Sequence, residues 1–474
     1  MTADIKPYPV YKDPGVPWLG QVPEHWNVRR IKSMFHEKDE RRCDGTGALL
    51  SLTRTRGIIP HSEATDRLAG AENLSKYKVC GVGDLVMNRM QAWSGMFALS
   101  SLEGVVSPDY SVFRAVGSCD AKYFELLFRT PPGVAQFARL SKGIGSGFNR
   151  LYTEDFGGVL VAVPPTDEQS SIVRYLDHAD RKVRHAIRAR QQLIKLLTEQ
   201  KQAIIQRAVT RGLNPDVRLK PSGVPWLGDV PDHWEVLPLK RVSRVQGGYA
   251  FSSSLFDDHG VPIVRMTNLK SGRLKLAGAT CVPESECIDR FSARAGDLLY
   301  GLSGSIGNFG VVRDEDLPVQ INQRVGRFVP LLSRISGSYL ALVVQTPEFS
   351  RQVLDMCTGT AQLNVSPLDV ERVVITVPSL PEQTAILGYA HDATAILDNA
   401  IDAARREIDL LREYRTRLIA DVVTGKLDVR DVPVPDDETD VPPEELESID
   451  DVEAIDQTDD VAEGDSDSSS EESA

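Results

Sequence analysis

Metal-binding and disulfide patterns are scarce in this sequence. The six cysteines include no CxxC pair, and the eight histidines show neither HxxxH nor HExxH spacing. Structural zinc sites and zinc proteases depend on such spacings. We therefore expect neither a metal site nor a disulfide framework in this chain of 474 residues.

Long apolar runs and cofactor motifs are missing as well. No stretch approaches 18 uninterrupted apolar residues, and the opening MTADIKPYPV lacks the apolar core of a secretion signal. The sequence contains no GxxxxGK[ST] loop and no GxGxxG that opens a helix after a strand. We therefore expect a cytoplasmic protein that contacts no membrane and binds no cofactor of its own.

Charge is present but unevenly distributed. The formal net charge is -13, yet residues 431–474 hold 19 acidic side chains and no lysine or arginine. The rest of the chain carries 54 basic and 48 acidic side chains, a net charge of +6. A mildly basic body suits a nucleic-acid partner. The acidic tail lacks the apolar content needed to fold and is predicted to be disordered.

One segment is written twice. GVPWLGQVPEHW occupies residues 15–26 and GVPWLGDVPDHW occupies residues 223–234, with ten of twelve positions identical. Further pairs follow in the same order in both copies. These pairs are Gly-Asp-Leu at 83–85 and 296–298, Thr-Pro at 130–131 and 346–347, Val-Pro at 163–164 and 377–378, and Glu-Gln at 168–169 and 382–383. The chain is therefore a tandem duplication.

Each copy is expected to form a strand-rich domain followed by a long helix. Short β-branched and aromatic runs between turn residues indicate strands, and apolar residues spaced by three and four predict helices over 167–211 and 381–424. Such long helices need a partner, so we expect an antiparallel coiled coil, with packing of each helix on its own domain as the alternative. The predicted coiled-coil seam comprises Ile172, Ala179, Val183, Ala186, Leu193, Leu197, Ile386, Ala393, Leu397, Ala400, Ala404 and Leu411.

The position of the repeated motif predicts how the chain closes. In the second copy the motif follows the first helix across Gly212. If it packs alike in both copies, residues 15–26 lie near Gly425 at the end of the second helix, which only antiparallel helices allow. The sequence therefore predicts an α+β fold with pseudo-two-fold symmetry. Its predicted parts are globular domains over 1–165 and 213–378, helices over 166–212 and 379–430, and a tail over 431–474.

These features resemble the specificity subunits of type I restriction-modification systems. The resemblance covers about residues 8–430 and depends on order: the tryptophan motif, a globular domain, VPPTDEQ or VPSLPEQ, and a long helix, all occurring twice. It implies that the globular domains are target recognition domains, each reading half of a bipartite, asymmetric sequence in double-stranded DNA. It also implies a non-catalytic chain that assembles with two methyltransferase subunits and two restriction or motor subunits. S-adenosylmethionine, ATP and Mg²⁺ are expected on those partners.

Polar loops in both copies supply candidate DNA-binding residues. Arginine or lysine suits guanine, and asparagine or glutamine suits adenine. The candidates of the first copy are Arg54, Arg56, Asn88, Arg89, Gln91, Lys142, Asn149 and Arg150. Those of the second copy are Arg265, Asn268, Lys270, Asn322, Gln323, Arg324, Gln362 and Asn364. For any one of them, exposure to solvent or capping of a turn is the alternative role.

Two other functions stay open from the sequence. Pro108 and Asp109, followed by Asp120 and Lys122, fit the loose PD...DxK spacing of Mg²⁺-dependent nucleases, although the second copy lacks both carboxylates. A coiled-coil scaffold that binds only proteins would also suit the acidic net charge. Sequence-specific DNA binding that weakens with salt separates a specificity subunit from such a scaffold, which would show neither property.

Overall fold

The structure is a computed structural model that describes residues 5–41, 47–64, 74–143, 149–225, 227–270, 272–304, 306–358 and 363–435. The chain forms two compact units. Unit 1 contains residues 1–191 and 406–474, and unit 2 contains residues 192–405. Most of the predicted tail, from residue 436, and the candidate Gln362 lie outside the described residues.

Unit 1 is built around a four-stranded antiparallel sheet. The strands of this unit are β1 (Tyr11–Lys12), β2 (Val22–Pro23), β3 (Asn27–Arg30), β4 (Phe35–Glu37), β5 (Leu50–Thr53), β6 (Gly57–Pro60), β7 (Lys78–Cys80), β8 (Leu85–Asn88), β9 (Phe97–Leu99), β10 (Gly104–Val106), β11 (Tyr110–Ala115) and β12 (Leu160–Val163). The helices are α1 (His61–Ala64), α2 (Ala121–Phe128), α3 (Pro131–Leu140), α4 (Thr153–Gly158) and the first part of α5 (Thr166–Arg211). The central sheet has the order β4-β11-β8-β9.

Unit 2 repeats this plan. Its strands are β13 (Leu219–Pro221), β14 (Asp229–Pro231), β15 (Glu235–Pro238), β16 (Ser243–Gly247), β17 (Val261–Val264), β18 (Leu269–Lys270), β19 (Arg273–Leu274), β20 (Cys281–Val282), β21 (Leu298–Gly301), β22 (Phe309–Val311), β23 (Gln320–Ile321), β24 (Val325–Pro330) and β25 (Val374–Val377). Its helices are α6 (Gly337–Val344), α7 (Pro347–Asp355), α8 (Pro367–Val370) and most of α9 (Leu380–Val423), with the last part of α5. The sheet order β16-β24-β21-β22 corresponds to that of unit 1, and β20-β17-β23 forms a further sheet.

The repeated Thr-Pro pairs start equivalent helices. Thr130 caps α3 by accepting a hydrogen bond from the backbone N–H of Gly133, and Thr346 caps α7 in the same way. The following proline occupies the first helical turn, where its missing N–H has no helical partner to lose. A local capping rule therefore accounts for these repeats.

The core of unit 1 is aromatic and includes the ends of both long helices. Phe97, Phe128, Phe137 and Phe156 pack with every pair of ring centroids 5.0–5.6 Å apart. Ile172 of α5 joins the same core, as do Val422 and Val423 of α9. In unit 2 the opposite ends of the helices, including Ile205 of α5 and Ile386 of α9, join the domain core. Both helices are thus held by apolar burial at each domain.

Ion pairs show that the helices run antiparallel. In unit 1, Arg415 donates to Asp180, and Arg190 Nη2 lies 2.7 Å from Glu407 Oε1. Positions rise along α5 as they fall along α9, which confirms the expected orientation. In unit 2, Lys201 Nζ lies 2.5 Å from Asp398 Oδ1.

The predicted seam coincides only partly with the buried stripe. Ile172, Val183, Ile386 and Ala404 are buried. Seven further positions are half-buried: Ala179, Ala186, Leu197, Ala393, Leu397, Ala400 and Leu411. Leu193 is 45% exposed and lies outside the stripe, contrary to the prediction, whereas Ile187 is buried. A straight helix drifts by about 20° per heptad against an exact seven-residue repeat, so the same heptad position does not stay buried.

Candidate nucleic-acid interface

The repeated His-Trp and the repeated Glu-Gln meet in space. In unit 1, Trp26 Nε1 donates to Glu168 Oε1 over 2.9 Å, and His25 Nε2 lies 2.7 Å from Glu168 Oε2. In unit 2, Trp234 Nε1 donates to Glu382 Oε1 over 3.2 Å, and the neighbouring histidine lies 2.7 Å from the same oxygen. Each glutamate therefore fastens the tryptophan motif to the first turn of a long helix.

The adjacent glutamines fasten the helices to the domains. Gln169 Oε1 accepts a hydrogen bond from the backbone N–H of Asp120 over 2.9 Å, and Gln383 Oε1 accepts one from Ser336 over 2.9 Å. Asp120 and Ser336 are the capping residues of α2 and α6. Both glutamines also donate to the carbonyl of the preceding Val-Pro proline. The domains are thus mounted on their helices by equivalent contacts.

The environment of these glutamates perturbs several pKa values. Burial raises the pKa of the Glu382 carboxyl, but hydrogen bonds from His233, Ser379 and Trp234 outweigh burial and lower it to about 2. In unit 1, burial and the hydrogen bond to Glu168 raise the pKa of Tyr8 far above its usual value. Glu382 is therefore an ionised acceptor at neutral pH.

The motif also packs against the glycine that ends each long helix. Gly425 has φ +79°, and a Cβ there would lie 3.0 Å from the ring of Trp26. Gly212 has φ +73°, and a Cβ there would lie 3.1 Å from the ring of Trp234. The structure thus places the N-terminal motif beside the end of α9, as the repeat predicts.

Two candidates of the first copy contact Asp109, and two others contact one another. Arg150 Nη2 lies 2.9 Å from Asp109 Oδ1, and Arg89 Nε donates to the Asp109 carbonyl over 2.7 Å. Burial, followed by repulsion from Arg150, lowers the pKa of Arg89. Asn88 is buried and donates to Gln91 Oε1 over 3.0 Å. The structure therefore brings Asn88, Arg89, Gln91 and Arg150 together, but their side chains contact other groups of the protein.

The other candidates of the first copy lie apart from this cluster. Arg56 Nη2 lies 2.6 Å from Glu63 Oε2, and Lys142 Nζ lies 2.8 Å from a carboxylate of α4. Arg54 is exposed and Asn149 is half-buried. The exposed cations Arg54 and Lys142 therefore remain accessible to a polyanion.

In the second copy, Asn268 has a structural role. Its Oδ1 accepts a hydrogen bond from the Arg265 backbone N–H over 2.8 Å, and its Nδ2 donates to the Lys275 carbonyl over 3.0 Å. The Arg265 guanidinium lies 4.7 Å from the ring centroid of Phe256. Lys270 is exposed. Asn268 therefore shapes the turn that carries the two cations.

Asn364 and Asn322 also shape turns. Asn364 accepts a hydrogen bond from the Ser303 hydroxyl, and Asn322 Oδ1 accepts one from the Arg324 backbone N–H over 3.4 Å. Gln323 and Arg324 project from the exposed turn before β24. Tyr249, which sequence reasoning did not single out, is hydrogen-bonded to this turn through its backbone. Its signal in the sequence is weak, because a Gly-Gly pair before an aromatic residue is compatible with many loops.

The carboxylates of the nuclease-like spacing have other roles. Asp109 forms the ion pair described above, and Asp120 Oδ1 accepts a hydrogen bond from the backbone N–H of Lys122 over 2.9 Å as a helix cap. Within the described ranges, no group of three or more histidine, cysteine, aspartate or glutamate residues could hold a metal ion. In that same part of the chain, no helix is long and apolar enough to cross a membrane.

Comparison with known proteins gives a consistent family. Residues 231–403 match the family described as "Type I restriction modification DNA specificity domain". The chain is 24% identical over 295 residues to the type I restriction enzyme MjaVIII specificity subunit of Methanocaldococcus jannaschii, a match covering 61% of this chain and 67% of that protein. It is 23% identical over 451 residues to the putative type I restriction enzyme MjaX specificity subunit of the same organism, a match covering 87% of this chain and 96% of that protein.

A solved structure has a similar fold. A chain from the study titled "Structural basis underlying complex assembly and conformational transition of the type I R-M system" aligns with a TM-score of 0.57 and 19% identity. The alignment covers 86% of this chain and 99% of that chain. At this identity the likeness shows the fold.

Proposed function

The chain belongs to the type I restriction-modification specificity subunits, and we propose on that basis that it reads a bipartite, asymmetric sequence in double-stranded DNA. In this proposal the domains over 1–165 and 213–378 each dock in a major groove and read one half-site. Helices α5 and α9 set the separation between the half-sites. An asymmetric target follows if the two domains present different side chains.

One observation carries the proposal: equivalent mounting combined with different exposed chemistry. The Glu-Gln pair and the His-Trp pair make the same contacts in both units. In contrast, the turn before β11 of unit 1 contains Pro108 and Asp109, whereas the equivalent turn before β24 of unit 2 contains Gln323 and Arg324. A common frame with different polar groups suits two readers of different sequences.

The proposed division of labour leaves catalysis to partner subunits. Two methyltransferase subunits would carry S-adenosylmethionine, and two restriction or motor subunits would carry ATP and Mg²⁺. Methyl transfer requires the target adenine to leave the base stack. This chain would hold those subunits in register with the two half-sites, in the cytoplasm, without contributing a catalytic residue.

The experiment is a selection from a pool of randomised duplex DNA. The full chain, in complex with its methyltransferase subunits, is incubated with the pool at two salt concentrations, and the retained duplexes are sequenced. We expect two short specified blocks separated by an unspecified gap, with affinity that falls as salt rises because phosphate contacts release counterions. A protein-binding scaffold would select no sequence, and a single ungapped motif would contradict the two-reader arrangement.

A further inference from the structure

Two loops of unit 2 are joined by backbone hydrogen bonds. The backbone N–H of Tyr249 donates to the Ile321 carbonyl over 2.9 Å, and the N–H of Gln323 donates to the Tyr249 carbonyl over 2.9 Å. The preceding Gly248 makes this approach possible, because a Cβ there would lie 2.2 Å from the Asn322 carbonyl oxygen. The loop after β16 and the turn before β24 therefore hold one another in place.

The Tyr249 ring is supported but not covered. Its centroid lies 5.0 Å from that of Phe251 in an edge-on arrangement and 5.4 Å from that of Phe291. Tyr249 is nevertheless 41% exposed. An aromatic ring held by two others loses little conformational freedom when a ligand packs on its open side.

Gln323 and Arg324 belong to the turn that is hydrogen-bonded to the Tyr249 backbone. Among the described residues, no hydrogen bond or ion pair holds either side chain, although both are exposed. Neighbouring arginines differ: Arg327 Nη1 lies 3.3 Å from Asp297 Oδ2, and Arg244 Nη1 lies 3.2 Å from a glutamate carboxylate. The guanidinium of Arg324 is therefore available to an external acceptor.

The equivalent turn of unit 1 is closed by internal contacts. In both units the strand after this turn begins with a residue whose backbone N–H donates to the carbonyl three positions earlier. The pairs are Tyr110 of β11 with Ser107 and Val325 of β24 with Asn322. Unit 1 places Asp109 where unit 2 places Arg324, and Asp109 is paired with Arg150. Only unit 2 presents an unpaired donor set at this turn among the described residues.

We propose that Tyr249, Gln323 and Arg324, the aromatic turn cluster, read bases of the half-site recognised by the second domain. Arg324 donates to O6 and N7 of a guanine, and Gln323 donates to and accepts from an adenine edge. The Tyr249 ring packs against the C5-methyl group of a thymine. The inference rests on the proposed function, since it assigns residues to one of its two half-sites.

The test repeats the randomised-duplex selection with variants of the full chain in its methyltransferase complex. The variants are Arg324→Ala, Arg324→Lys, Gln323→Ala, Tyr249→Ala and Tyr249→Phe, with Arg313→Ala as an exposed control in the same unit. We expect the cluster variants to lose preference at single positions of one block, by about 5- to 100-fold per position. The other block and the gap should persist, and they report that the complex is folded.

Modified bases separate base reading from backbone contact. Replacing the selected guanine with 7-deazaguanine removes the N7 acceptor, so it should weaken binding by the unaltered complex several-fold but have no further effect on Arg324→Ala. Replacing the selected thymine with uracil removes the methyl group, so it should weaken binding except in Tyr249→Ala. Tyr249→Phe keeps the ring and should lose less affinity than Tyr249→Ala.

The outcomes distinguish the inference from the proposed function. A gapped motif that is unchanged in every cluster variant overturns the inference and leaves the function standing. Equal weakening of all sequences in Arg324→Ala, with a smaller salt dependence, identifies a phosphate contact and also overturns it. Loss of both blocks together in Arg324→Lys contradicts a local role. If the unaltered complex selects no motif at all, both the inference and the proposed function are overturned.

Discussion

The contacts of Glu168 and Glu382 account for the His-Trp pair that occurs in both copies. Each glutamate lies in the first turn of a long helix, and its carboxylate is hydrogen-bonded to the indole and imidazole of the tryptophan motif. Charge-assisted hydrogen bonds of this kind are stronger than neutral ones, and a buried donor left without an acceptor is costly. The repeated motif thus attaches each domain to the start of a long helix.

Substituting Glu168 tests this role. Glu168→Gln places an amide donor among three groups that use the carboxylate, the side chains of Tyr8, His25 and Trp26. We expect the free energy of unfolding of unit 1 to fall by about 1–3 kcal/mol, seen as a lower melting temperature in calorimetry. Glu199→Gln, an exposed position on α5, serves as the matched control. Equal melting temperatures for the two variants would remove the mounting role.

The Glu382 interaction should depend on pH. Its folded-state pKa is lowered to about 2, below the value of about 4.3 expected in an unfolded chain. The stabilisation is therefore fully present above that unfolded value and is lost as pH falls towards 2. The difference in denaturant midpoint between the wild type and Glu382→Gln should shrink over this range. A difference that stays constant from pH 7 to pH 2.5 would argue against an ionic contribution.

At the level of elements, the periodicity of the sequence locates the long helices well. The predicted ranges 167–211 and 381–424 differ by one residue from Thr166–Arg211 and Leu380–Val423. Helix starts follow local rules of capping and proline placement, which is why they can be read directly. The exposure of Leu193 could not be predicted from the sequence, because it depends on how the buried stripe drifts around the helix.

The glycines that end the helices should tolerate substitution unequally. A Cβ at Gly425 would lie 2.5 Å from Pro23 Cδ, whereas at Gly212 the nearest atom, of Trp234, is 3.1 Å away. Both residues have positive φ, so Gly425→Ala and Gly212→Ala should each destabilise, and Gly425→Ala the more. Gly388→Ala, on an open face of α9, should be neutral or stabilising by up to about 1 kcal/mol. Denaturant unfolding of the three variants checks the order, and a Gly388→Ala variant as unstable as the others would contradict it.

Sequence composition could not separate the base-reading candidates from structural residues. Arg89, Arg150 and Asn88 have the side chains that base reading needs, yet all three contact protein groups, two of them through Asp109. Those partners are brought close by strand pairing and loop packing, which a single sequence does not reveal. Gln323 and Arg324 have the same chemistry but remain exposed, so only the folded structure distinguishes them.

At the scale of the whole molecule, the proposed function makes the helices a spacer. Inserting seven residues into each of α5 and α9 adds about 10 Å of helix, which corresponds to roughly three base pairs of B-DNA. We expect the same two specified blocks with a gap longer by about that amount, measured by randomised-duplex selection. Seven residues nearly preserve the helical phase. Inserting five in each helix rotates the following segment by about 140°, so it serves as the out-of-phase control and should abolish selection. A gap of unchanged length after the seven-residue insertion would mean that the helices do not set it.

In the proposed function, this chain alone confers a two-part DNA specificity on its partners. The most direct measurement is a genome-wide map of methylated adenines in cells that contain the methyltransferase subunit, with and without this chain. We expect a gapped, asymmetric motif that is methylated on both strands and disappears when the chain is removed. Methylation that keeps the same motif without the chain, or that follows no sequence in its presence, would show that the chain does not confer the specificity.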